Sequence, residues 1–508
     1  MARCDVLIVG AGPTGLVLAL WLTQQGVQVR IVDTSLQPGT TSRALAVQAR
    51  TLELYRQLGL DRDVIAQGYK VPAVNLWVRG EPVARVAFGD IGARLTPFSF
   101  LEIFPQDQHE ALLVEKLISM GVVVERRTEL VSFTDHADRI RARLRTREGA
   151  EQVCEAAYLA GCDGARSRVR QGMGSGFPGG TYRQVFYVAD IQGTGPPLDG
   201  SFNADLDEAD FLGVFPMAGT GRARLIGTVR DERAEHAESL TFEDVSARAI
   251  ANLKVKVDQV NWFSTYRVHH RVADRFRKGR AFILGDAAHI HSPAGGQGMN
   301  TGIGDAVNLA WKLAAVIHGR AADALLDSYE MERLPFAQRL VATTDRAFSF
   351  VTADGPLADI VRTRVAPVVL SRALALESVR DFMFRTVSQI ALNYRDRPLS
   401  AGRAGDVHGG DRLPWVAAAG EDNHEPLQSM SWQVHVYGTP RGGLDEWCVR
   451  HGVRLHVFPW TEAHARAGLL PDALYLIRPD TYVALAEGTG EPAALQKYFA
   501  EHRLRAGP

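Results

Sequence analysis

The feature that most constrains the fold is a glycine-rich turn close to the N-terminus. The apolar run Asp5–Val9 predicts a buried strand, and Gly10-Ala11-Gly12-Pro13-Thr14-Gly15 follows it directly. The next stretch, Leu16–Gln25, predicts a helix that stops at Gly26, and Gln28–Val32 predicts a second strand. This order of strand, tight turn, helix and strand predicts a βαβ unit of an α/β sheet.

Each glycine of this turn has its own physical task. Gly10 permits a tight turn, Gly12 lets a pyrophosphate approach the backbone, and Gly15 lets helix and strand pack closely. The phosphates would lie at the helix N-terminus, where free N–H groups favour negative charge. Asp33, at the end of the second strand, can bind ribose hydroxyls. A glycine turn without a ligand is the alternative, and this motif alone does not decide between FAD and NAD.

A second glycine-rich segment follows another buried strand, Ala281–Leu284. Asp286 lies just past that strand, at the sheet edge where ligands bind, and can accept a hydrogen bond from a ribityl hydroxyl. The stretch Pro293–Asn300 then brings a helix N-terminus near Met299 and Asn300. A positive helix end stabilises the negative charge that a flavin ring acquires on reduction. Taken alone, Asp286 could also be a turn or helix-capping residue.

A third motif runs from Cys162 through Asp163-Gly164 into a basic segment that contains Arg166. Asp163 can hold the turn and Arg166 can lie near cofactor phosphates, although a structural turn with solvated arginines explains the pattern too. His289 and His291 have no acidic or cysteine partner at ligand spacing, so no metal site is expected. His289 is expected to be a packed, hydrogen-bonded histidine.

Composition excludes several classes of protein. A length of 508 residues suggests two to four domains, and 46% hydrophobic with 23% charged residues is ordinary for a globular protein. A net charge of −1 gives no electrostatic footprint for nucleic acid or an anionic membrane. Four cysteines without a C-x-x-C pair fit a reducing compartment, and the apolar run Leu16–Leu22 is too short to span a bilayer. We therefore expect a soluble, cytoplasmic protein.

Hydrophobic periodicity divides the remaining chain. Residues 109–120 predict a helix, residues 122–159 a β-meander, and residues 180–270 a mixed or antiparallel sheet inserted between two halves of a nucleotide-binding domain. Apolar residues at helical spacing over Ile303–Ile317 predict an amphipathic helix that Gly319 ends, and residues 324–395 look largely helical. The glycine-rich stretch Arg397–Gly410 predicts a linker to a separate C-terminal α/β unit.

The three motifs, in this order, resemble the single-component FAD-dependent aromatic hydroxylases, a family that includes para-hydroxybenzoate hydroxylase, phenol hydroxylase, pentachlorophenol monooxygenase and the aromatic polyketide hydroxylases. Ser42–Glu53 resembles the family's segment beside the flavin, Pro105-Gln106 its flavin-contacting glutamine, and Tyr329–Arg333 its helix after the flavin site. The resemblance implies, together with the motifs, a set of FAD contacts: Gly10, Gly12, Pro13, Thr14, Gly15, Asp33, Arg43, Gln106, Asp163, Asp286, Gly296, Gly298, Met299 and Asn300.

The resemblance also implies an architecture. The fold class expected is α/β, with a doubly wound FAD-binding domain interleaved with a mixed-sheet substrate domain and followed by a thioredoxin-like C-terminal domain. The corresponding boundaries are 1–178 and 275–396 for FAD binding, 179–274 for the substrate sheet and 397–508 for the last domain. Because that last domain has no C-x-x-C, we expect a structural or dimer-contact role for it, in a monomer or homodimer.

The activity that the resemblance implies is hydroxylation of an aromatic, phenolic substrate. FAD would be reduced by NAD(P)H and would react with O2 to give a C4a-hydroperoxide, while the protein excludes water and favours the phenolate. No second nucleotide fingerprint is present, so NADH and NADPH are not distinguished, and no general base is identified. Candidates for the pocket wall, each equally explained as ordinary core, are Leu45, Val47, Phe211, Phe215, Met217 and Pro293.

Three alternatives remain open at this point. A flavin-dependent halogenase would carry a W-x-W-x-I-P motif, which the chain lacks. A flavoprotein oxidase or dehydrogenase of the same superfamily would turn over its substrate without inserting oxygen. A non-catalytic nucleotide-binding scaffold would not need the intact glycine stretch Gly295–Asn300. Arg224 could meet an anionic substrate, but a solvated surface arginine is the simpler expectation.

Overall fold

The computed structural model contains four main β-sheets and twelve helices in the part of the chain that it describes, and it confirms the expected mixed α/β fold class. The described residues are 2–39, 44–78, 80–87, 91–206, 211–229, 240–245, 247–292, 296–352, 372–373 and 376–506. No helix among them is both long and apolar enough to cross a bilayer.

The first sheet carries the glycine turn. Its centre is four parallel strands in the order β2, β1, β10 and β17. Antiparallel β9 pairs with the first half of β10 and is followed by β8, and β16 pairs with β17 at the edge. Burial on both faces explains the continuous apolar run in β1. The strands are β1 (Ala2–Val9), β2 (Val29–Val32), β8 (Glu129–His136), β9 (Arg139–Arg145), β10 (Glu151–Gly161), β16 (Arg277–Lys278) and β17 (Ala281–Ile283).

The helices confirm the main periodicity predictions. The amphipathic helix predicted over Ile303–Ile317 is present and starts earlier, at Gly298. Gly319 follows its end with a positive φ of 69°, as a helix stop requires. The helices are α1 (Pro13–Gln24), α2 (Ala49–Arg56), α3 (Asp61–Gln67), α4 (Gln106–Ser119), α5 (Arg168–Met173), α6 (Ala247–Asn252), α7 (Gly298–Ile317), α8 (Asp327–Thr352), α9 (Glu377–Val387), α10 (Leu444–His451), α11 (Glu462–Arg466) and α12 (Pro492–Glu501).

The second sheet has eight strands in the order β18, β15, β11, β14, β13, β12, β5 and β6, and most of its pairs are antiparallel. It contains the strands predicted for residues 180–270, but it also takes in β5 and β6 from the segment before residue 90. The strands are β5 (Ala73–Val78), β6 (Glu81–Ala87), β11 (Gly179–Thr194), β12 (Phe202–Leu206), β13 (Phe211–Pro216), β14 (Arg222–Val229), β15 (Lys256–Val272) and β18 (His289–Ile290).

A small three-stranded sheet packs against the second sheet. Its strands are β3 (Ala46–Val47), β4 (Tyr69–Val71) and β7 (Leu101–Ile103), with β7 in the middle. Apolar residues of both sheets share one core cluster, which contains Val71 and Ile103 from the small sheet and Phe186 and Val188 from the large one. This junction joins the segment predicted to lie beside the flavin to the inserted sheet.

The C-terminal unit corrects the predicted linker. Residues 397–410 are not a simple connection, because two strands within them belong to the C-terminal sheet. Glycine is needed there for close backbone approach: a Cβ at Gly402 would lie 2.2 Å from the carbonyl oxygen of Ala486. The six strands are β19 (Ala401–Ala404), β20 (Val407–His408), β23 (Gln433–Tyr437), β24 (Arg454–Phe458), β25 (Leu474–Ile477) and β26 (Val483–Glu487); a hairpin, β21 (Ala417–Ala418) and β22 (Glu421–Asp422), lies outside them.

This unit is packed against the first domain. The main apolar core runs from the first sheet into the C-terminal unit, where Trp432 meets Trp311 of α7 edge-to-face with ring centroids 5.6 Å apart. A buried ion cluster crosses the same boundary, with Glu332 of α8 bound by Arg478 at 2.7 Å and by Lys312 at 2.7 Å. The domain limits and the thioredoxin-like assignment stay predictions.

Candidate functional site

The first glycine turn has the geometry of a phosphate cradle. Gly10 has a φ of 104°, and a Cβ there would lie 2.2 Å from the carbonyl oxygen of Cys162. A Cβ at Gly15 would lie 2.0 Å from the carbonyl oxygen of Gly10, so both positions require glycine. A Cβ at Gly12 would meet no protein atom within 4 Å. The middle glycine therefore borders open space, as it should where a pyrophosphate approaches the backbone.

The N-terminus of α1 is open to an anion. No side chain caps this helix, its first turn holds no acidic residue, and Pro13 stands where a backbone N–H is dispensable. Asp33 accepts a hydrogen bond from the backbone N–H of Ala11 at 2.6 Å and another from Ser35 at 2.7 Å. The Asp33 carboxylate thus holds the turn itself, next to where a ribose would lie.

The second glycine segment meets the first through Thr14. A Cβ at Gly285 would lie 2.7 Å from Thr14 Oγ1, and one at Gly302 would lie 2.3 Å from the same atom. Glycine at these two positions lets the turn before Asp286 and helix α7 close onto α1. Gly302 was missed by sequence reasoning, although a glycine one turn into an amphipathic helix signals close helix packing. Asp286 itself is exposed in the short 3-10 turn Gly285–Ala287.

A buried carboxylate holds this second turn. Asp305 Oδ2 accepts from the backbone N–H of Gly285 at 3.0 Å and contacts His289 Nε2 at 2.7 Å, and Oδ1 accepts from Arg333 Nε at 2.6 Å. Burial raises the pKa of Asp305, but Arg333 and His289 outweigh it and the net pKa is lowered. The histidine expectation is confirmed, because His289 is buried and hydrogen-bonded. No metal-binding group of acidic, histidine and cysteine residues occurs among the described residues.

Asn300 joins the start of α7 to the segment after residue 44. Its Oδ1 accepts from the backbone N–H of Gln48 at 2.9 Å and from Thr51 Oγ1 at 2.7 Å. Its Nδ2 donates to the carbonyl oxygens of Ala46 and Gly296, each at 2.9 Å. The side chain therefore has a structural task, which leaves the backbone N–H groups of the first turn for a ligand. No side chain caps α7, and no acidic residue lies in its first turn.

Two further predicted FAD contacts, Gln106 and Asp163, have hydrogen-bond partners within the protein. Two other predicted site residues lie outside the described part of the chain. Gln106 begins α4, where its backbone N–H donates to Ala44 O and its side-chain amide donates to Glu110 at 2.8 Å. Asp163 accepts from Ser167 Oγ at 2.6 Å and from two backbone N–H groups at the start of α5. This fits the structural-turn alternative for Asp163. Arg43 and Pro293 lie outside the described residues.

An aromatic surface covers one face of the second sheet. Phe202 and Phe215 stack with centroids 4.2 Å apart, and Phe186 lies 5.8 Å from Tyr266. These rings pack with Leu45 against the small sheet. Of the predicted wall, Leu45, Phe211 and Phe215 meet here, Val47 belongs to the main core, and Met217 is buried elsewhere. The aromatic surface comprises Phe186, Phe202, Phe211, Phe215, Trp262 and Tyr266.

Arg224 corrects the sequence expectation. It is 2% exposed, not a solvated surface residue, and its guanidinium binds both oxygens of Asp190, at 2.6 and 2.8 Å. The reason is sheet register, since Phe215, Arg224, Asp190 and Trp262 are opposite one another on four adjacent strands. The guanidinium also lies 5.5 Å from the Trp262 ring centroid. A neutralised ion pair is therefore built into the aromatic surface.

The comparisons with known proteins agree with this geometry. A family model described as an FAD binding domain matches residues 3–344. The chain belongs to this family of FAD-dependent hydroxylases. It is 34% identical to 6-methylpretetramide 4-monooxygenase of Streptomyces rimosus over 94% of this chain and 90% of that one. It is 30% identical to pentachlorophenol 4-monooxygenase of Sphingobium chlorophenolicum over 81% of this chain and 76% of that one.

The solved structures extend the family likeness to the C-terminus. The anhydrotetracycline hydroxylase OxyS from Streptomyces rimosus matches with a TM-score of 0.77 and 28% identity, covering 100% of this chain and 99% of that chain. The family membership inferred from the three motifs is thereby confirmed. Within this family, the two glycine turns are suited to FAD. Gly12 leaves open space beside the backbone for a pyrophosphate, and the absence of side chains at Gly285 and Gly302 lets the second turn close onto Thr14.

Proposed function

We propose that this protein is an FAD-dependent monooxygenase that hydroxylates a phenolic aromatic compound with NAD(P)H and O2. The observation that carries the proposal is the aromatic surface, which adjoins the small sheet. The first strand of that sheet is followed directly by Gln48 and the start of α2. Asn300 ties that same segment to the helix proposed to face the flavin. An aromatic ring held on this surface would therefore lie beside the cofactor.

FAD would be held by the chain's two glycine turns. We assign its pyrophosphate to Gly10–Gly15 at the N-terminus of α1, its ribityl chain to Asp286, and its ring edge to the backbone of Gly298–Asn300. Arg43 and Gln106 complete the proposed set, as the resemblance implies. Bound FAD would supply the redox chemistry, namely reduction by NAD(P)H and activation of O2. The protein's part is to orient the ring, exclude water and favour the phenolate.

The proposed substrate is planar and larger than a single ring. Between the rows that hold Phe186 with Tyr266 and Phe215 with Trp262, the sheet carries a row of smaller side chains: Ala204, Gly213, Ile226, Val188 and Ser264. A flat multi-ring molecule would stack across this extended aromatic face, where the rings of Phe202, Phe211 and Phe215 lie against Gly213. The relatives named for pretetramide and anhydrotetracycline support this choice, while the pentachlorophenol relative supports a single ring as the alternative.

The test follows O2 uptake and peroxide release by flavin-loaded protein with NADPH, then NADH, across simple phenols and polycyclic phenols. We expect one polycyclic phenol to stimulate uptake with little peroxide and to gain one oxygen atom. Nicotinamide oxidation without oxygen insertion would favour an oxidase or dehydrogenase. Failure of every aromatic to stimulate nicotinamide oxidation, in protein that binds FAD, would overturn the proposed function.

Two glycine variants separate the flavin site from the fold. Gly12→Ala is expected to weaken FAD binding about tenfold or more, because the added methyl would enter the space assigned to the pyrophosphate. The apoprotein should lose less than about 1 kcal/mol, since no protein atom is displaced. Gly15→Ala should destabilise the apoprotein itself, because its Cβ would meet Gly10 O.

The measurements are FAD titration by flavin fluorescence and thermal unfolding of the apoprotein. Gly442→Ala is the matched control, because a Cβ there also meets no atom within 4 Å but lies in the C-terminal unit. Equal FAD affinity in Gly12→Ala and Gly442→Ala would contradict the assigned phosphate position.

A further inference from the structure

Three ionisable side chains meet at one edge of the aromatic surface. The Tyr182 hydroxyl donates to Asp345 Oδ1, and His270 Nδ1 lies 3.9 Å from the same oxygen. The Tyr182 and His270 rings pack edge-to-face with centroids 4.7 Å apart. Tyr182 also packs in the apolar cluster that contains the aromatic surface. One phenolic hydroxyl is thus placed between a surface suited to aromatic rings and a carboxylate.

The position of this cluster in the sheet is informative. On β15, His270 immediately precedes Arg271 and Val272, which pair with Ile290 and His289 of β18. The chain leads from β18 towards the glycine stretch assigned to the flavin. The Arg224–Asp190 pair lies towards the other end of β15, opposite Trp262. Tyr182 and His270 therefore occupy the end of the aromatic surface beside β18.

We propose that Tyr182 is the catalytic proton acceptor for the substrate's phenolic hydroxyl, with Asp345 as the next acceptor and His270 as a positioning residue. This assignment rests on the proposed function. The substrate O–H bond breaks as its proton moves to the Tyr182 oxygen, and the Tyr182 proton moves to Asp345 Oδ1. No electrons are gained or lost, and the substrate becomes a phenolate that accepts a hydrogen bond from Tyr182.

The surroundings permit this transfer. The Asp345 side chain is 29% exposed, so a proton that it receives can pass to water. Burial raises the pKa of Asp345 and makes its carboxylate a better proton acceptor. On this part of β15, Arg267, His269 and Arg271 alternate onto the opposite face from His270, whereas Tyr266 shares the face of His270. His269 bonds Thr181 Oγ1 at 2.7 Å, and burial lowers its pKa.

The first experiment measures ionisation without turnover. Flavin-loaded protein without NAD(P)H would be titrated with a hydroxyanthraquinone, a planar phenol whose neutral and ionised forms differ in colour. We expect Tyr182→Phe to raise the pKa of the bound phenol by about one unit or more, because the phenolate loses its hydrogen-bond donor. Asp345→Asn should give a smaller rise. Thr181→Val, one residue away, is the matched control and should behave like the wild type.

The second experiment measures hydroxylation of the substrate found in the O2-uptake panel. Tyr182→Phe should lower the rate about a hundredfold or more near neutral pH, and raising the pH should restore much of it, because the substrate then ionises in solution. Flavin content and thermal unfolding would verify folding of each variant. Asp345→Asn keeps the test open should Tyr182→Phe misfold.

The outcomes separate this assignment from the proposed function. Unchanged phenol ionisation and an unchanged pH–rate profile in Tyr182→Phe would overturn the role of Tyr182. A shift in Tyr182→Phe with wild-type behaviour in Asp345→Asn would remove Asp345 from the relay. Ionisation that depends on Tyr182, in a protein that hydroxylates none of the aromatics tested, would sustain the proton acceptor and overturn hydroxylation as the function.

Discussion

Replacing Arg478 with methionine is expected to lower the free energy of unfolding by about 3–5 kcal/mol, the range for removing one partner from a buried ion pair. Arg478 is fully buried and binds Glu332 at 2.7 Å and Asp480 at 2.6 Å. Methionine keeps most of the side-chain volume, so the change is chiefly electrostatic. Glu332 would then keep the Lys312 ammonium as its ion-pair partner inside the core.

The pKa values of the buried ion cluster support this expected loss of stability. Burial raises the pKa of Glu332, yet Arg478 and Lys312 together bring it down to about 2. Burial lowers the pKa of Lys312 to about 8 in spite of Glu332. Without Arg478, Glu332 loses its largest stabilising charge and Lys312 cannot replace it. The effect should appear in urea unfolding followed by tryptophan fluorescence, because Trp311 donates to Asp480 within the same cluster.

Arg403→Met is the matched control for this measurement. Arg403 pairs with Asp406 at 3.3 Å, but the two side chains are 59% and 84% exposed, so removing this pair should have little effect on stability. Equal unfolding midpoints for Arg478→Met and Arg403→Met would contradict the prediction. The C-terminal unit would then be held by apolar packing such as Trp311 against Trp432.

Local sequence patterns predicted the parts of the site that depend on neighbours in the chain. The glycine turn at Gly10–Gly15 and the helix over Ile303–Ile317 were predicted because spacing and end signals lie within a few residues. The second strand and the β-meander follow from alternation in the same way. The roles of the cofactor-contacting residues rest on the motifs together with the family resemblance, and they stay proposals until FAD binding is measured.

Contacts between distant segments escaped the same reasoning. Arg224 looks like a surface residue until the pairing of β14 with β11 places it opposite Asp190. Asp305 is one charged residue in a helix, and only the tertiary fold brings it to Gly285 and Arg333. The glycine-rich segment at 401–404 was assigned to a linker because its strand partner, β26, is far along the chain. Whether a charged side chain is buried depends on such partners from distant parts of the chain, and hydrophobic periodicity does not reveal them.

The stability of the protein should fall with rising pH because of Glu102, and Glu102→Gln should remove that dependence. Glu102 is fully buried in the middle strand of the small sheet, and neither of its oxygens has a hydrogen-bond partner among the described residues. Burial raises its pKa to about 8, although Lys70 opposes the shift. The folded protein therefore holds the carboxyl group in its neutral form up to mildly alkaline pH.

The direction in which folding stability changes with pH follows from proton linkage. Between the ordinary glutamate pKa of 4.5 and the folded value of about 8, the native state binds one more proton than the unfolded state. The contribution is therefore fully present below pH 4.5 and is lost as the pH rises through 8. The loss is about 1.4 kcal/mol per pH unit within this window, which amounts to several kcal/mol overall.

Glu102→Gln is informative because glutamine keeps the shape and cannot ionise. A buried amide without partners has its own cost, but that cost is the same at every pH. We therefore expect the stability of the variant relative to the wild type to grow steadily from pH 5 to 8 and then to level off. Urea unfolding across this range measures the difference. Glu115→Gln, on the exposed side of α4, controls for removal of one negative charge.

The protonation state of Glu102 is decided by how the stability difference between Glu102→Gln and the wild type changes with pH, rather than by the absolute stability of either protein. A constant difference between Glu102→Gln and the wild type over pH 5–8 would mean that Glu102 is already ionised in the folded protein, with Lys70 as its compensating charge. A difference that rises with pH would mean that Glu102 stays neutral in the folded protein. Glu102 lies in β7, the strand that supplies Leu101 and Ile103 to the core shared with the aromatic surface. Alkaline pH would then loosen that strand first, and substrate binding would weaken before global unfolding begins.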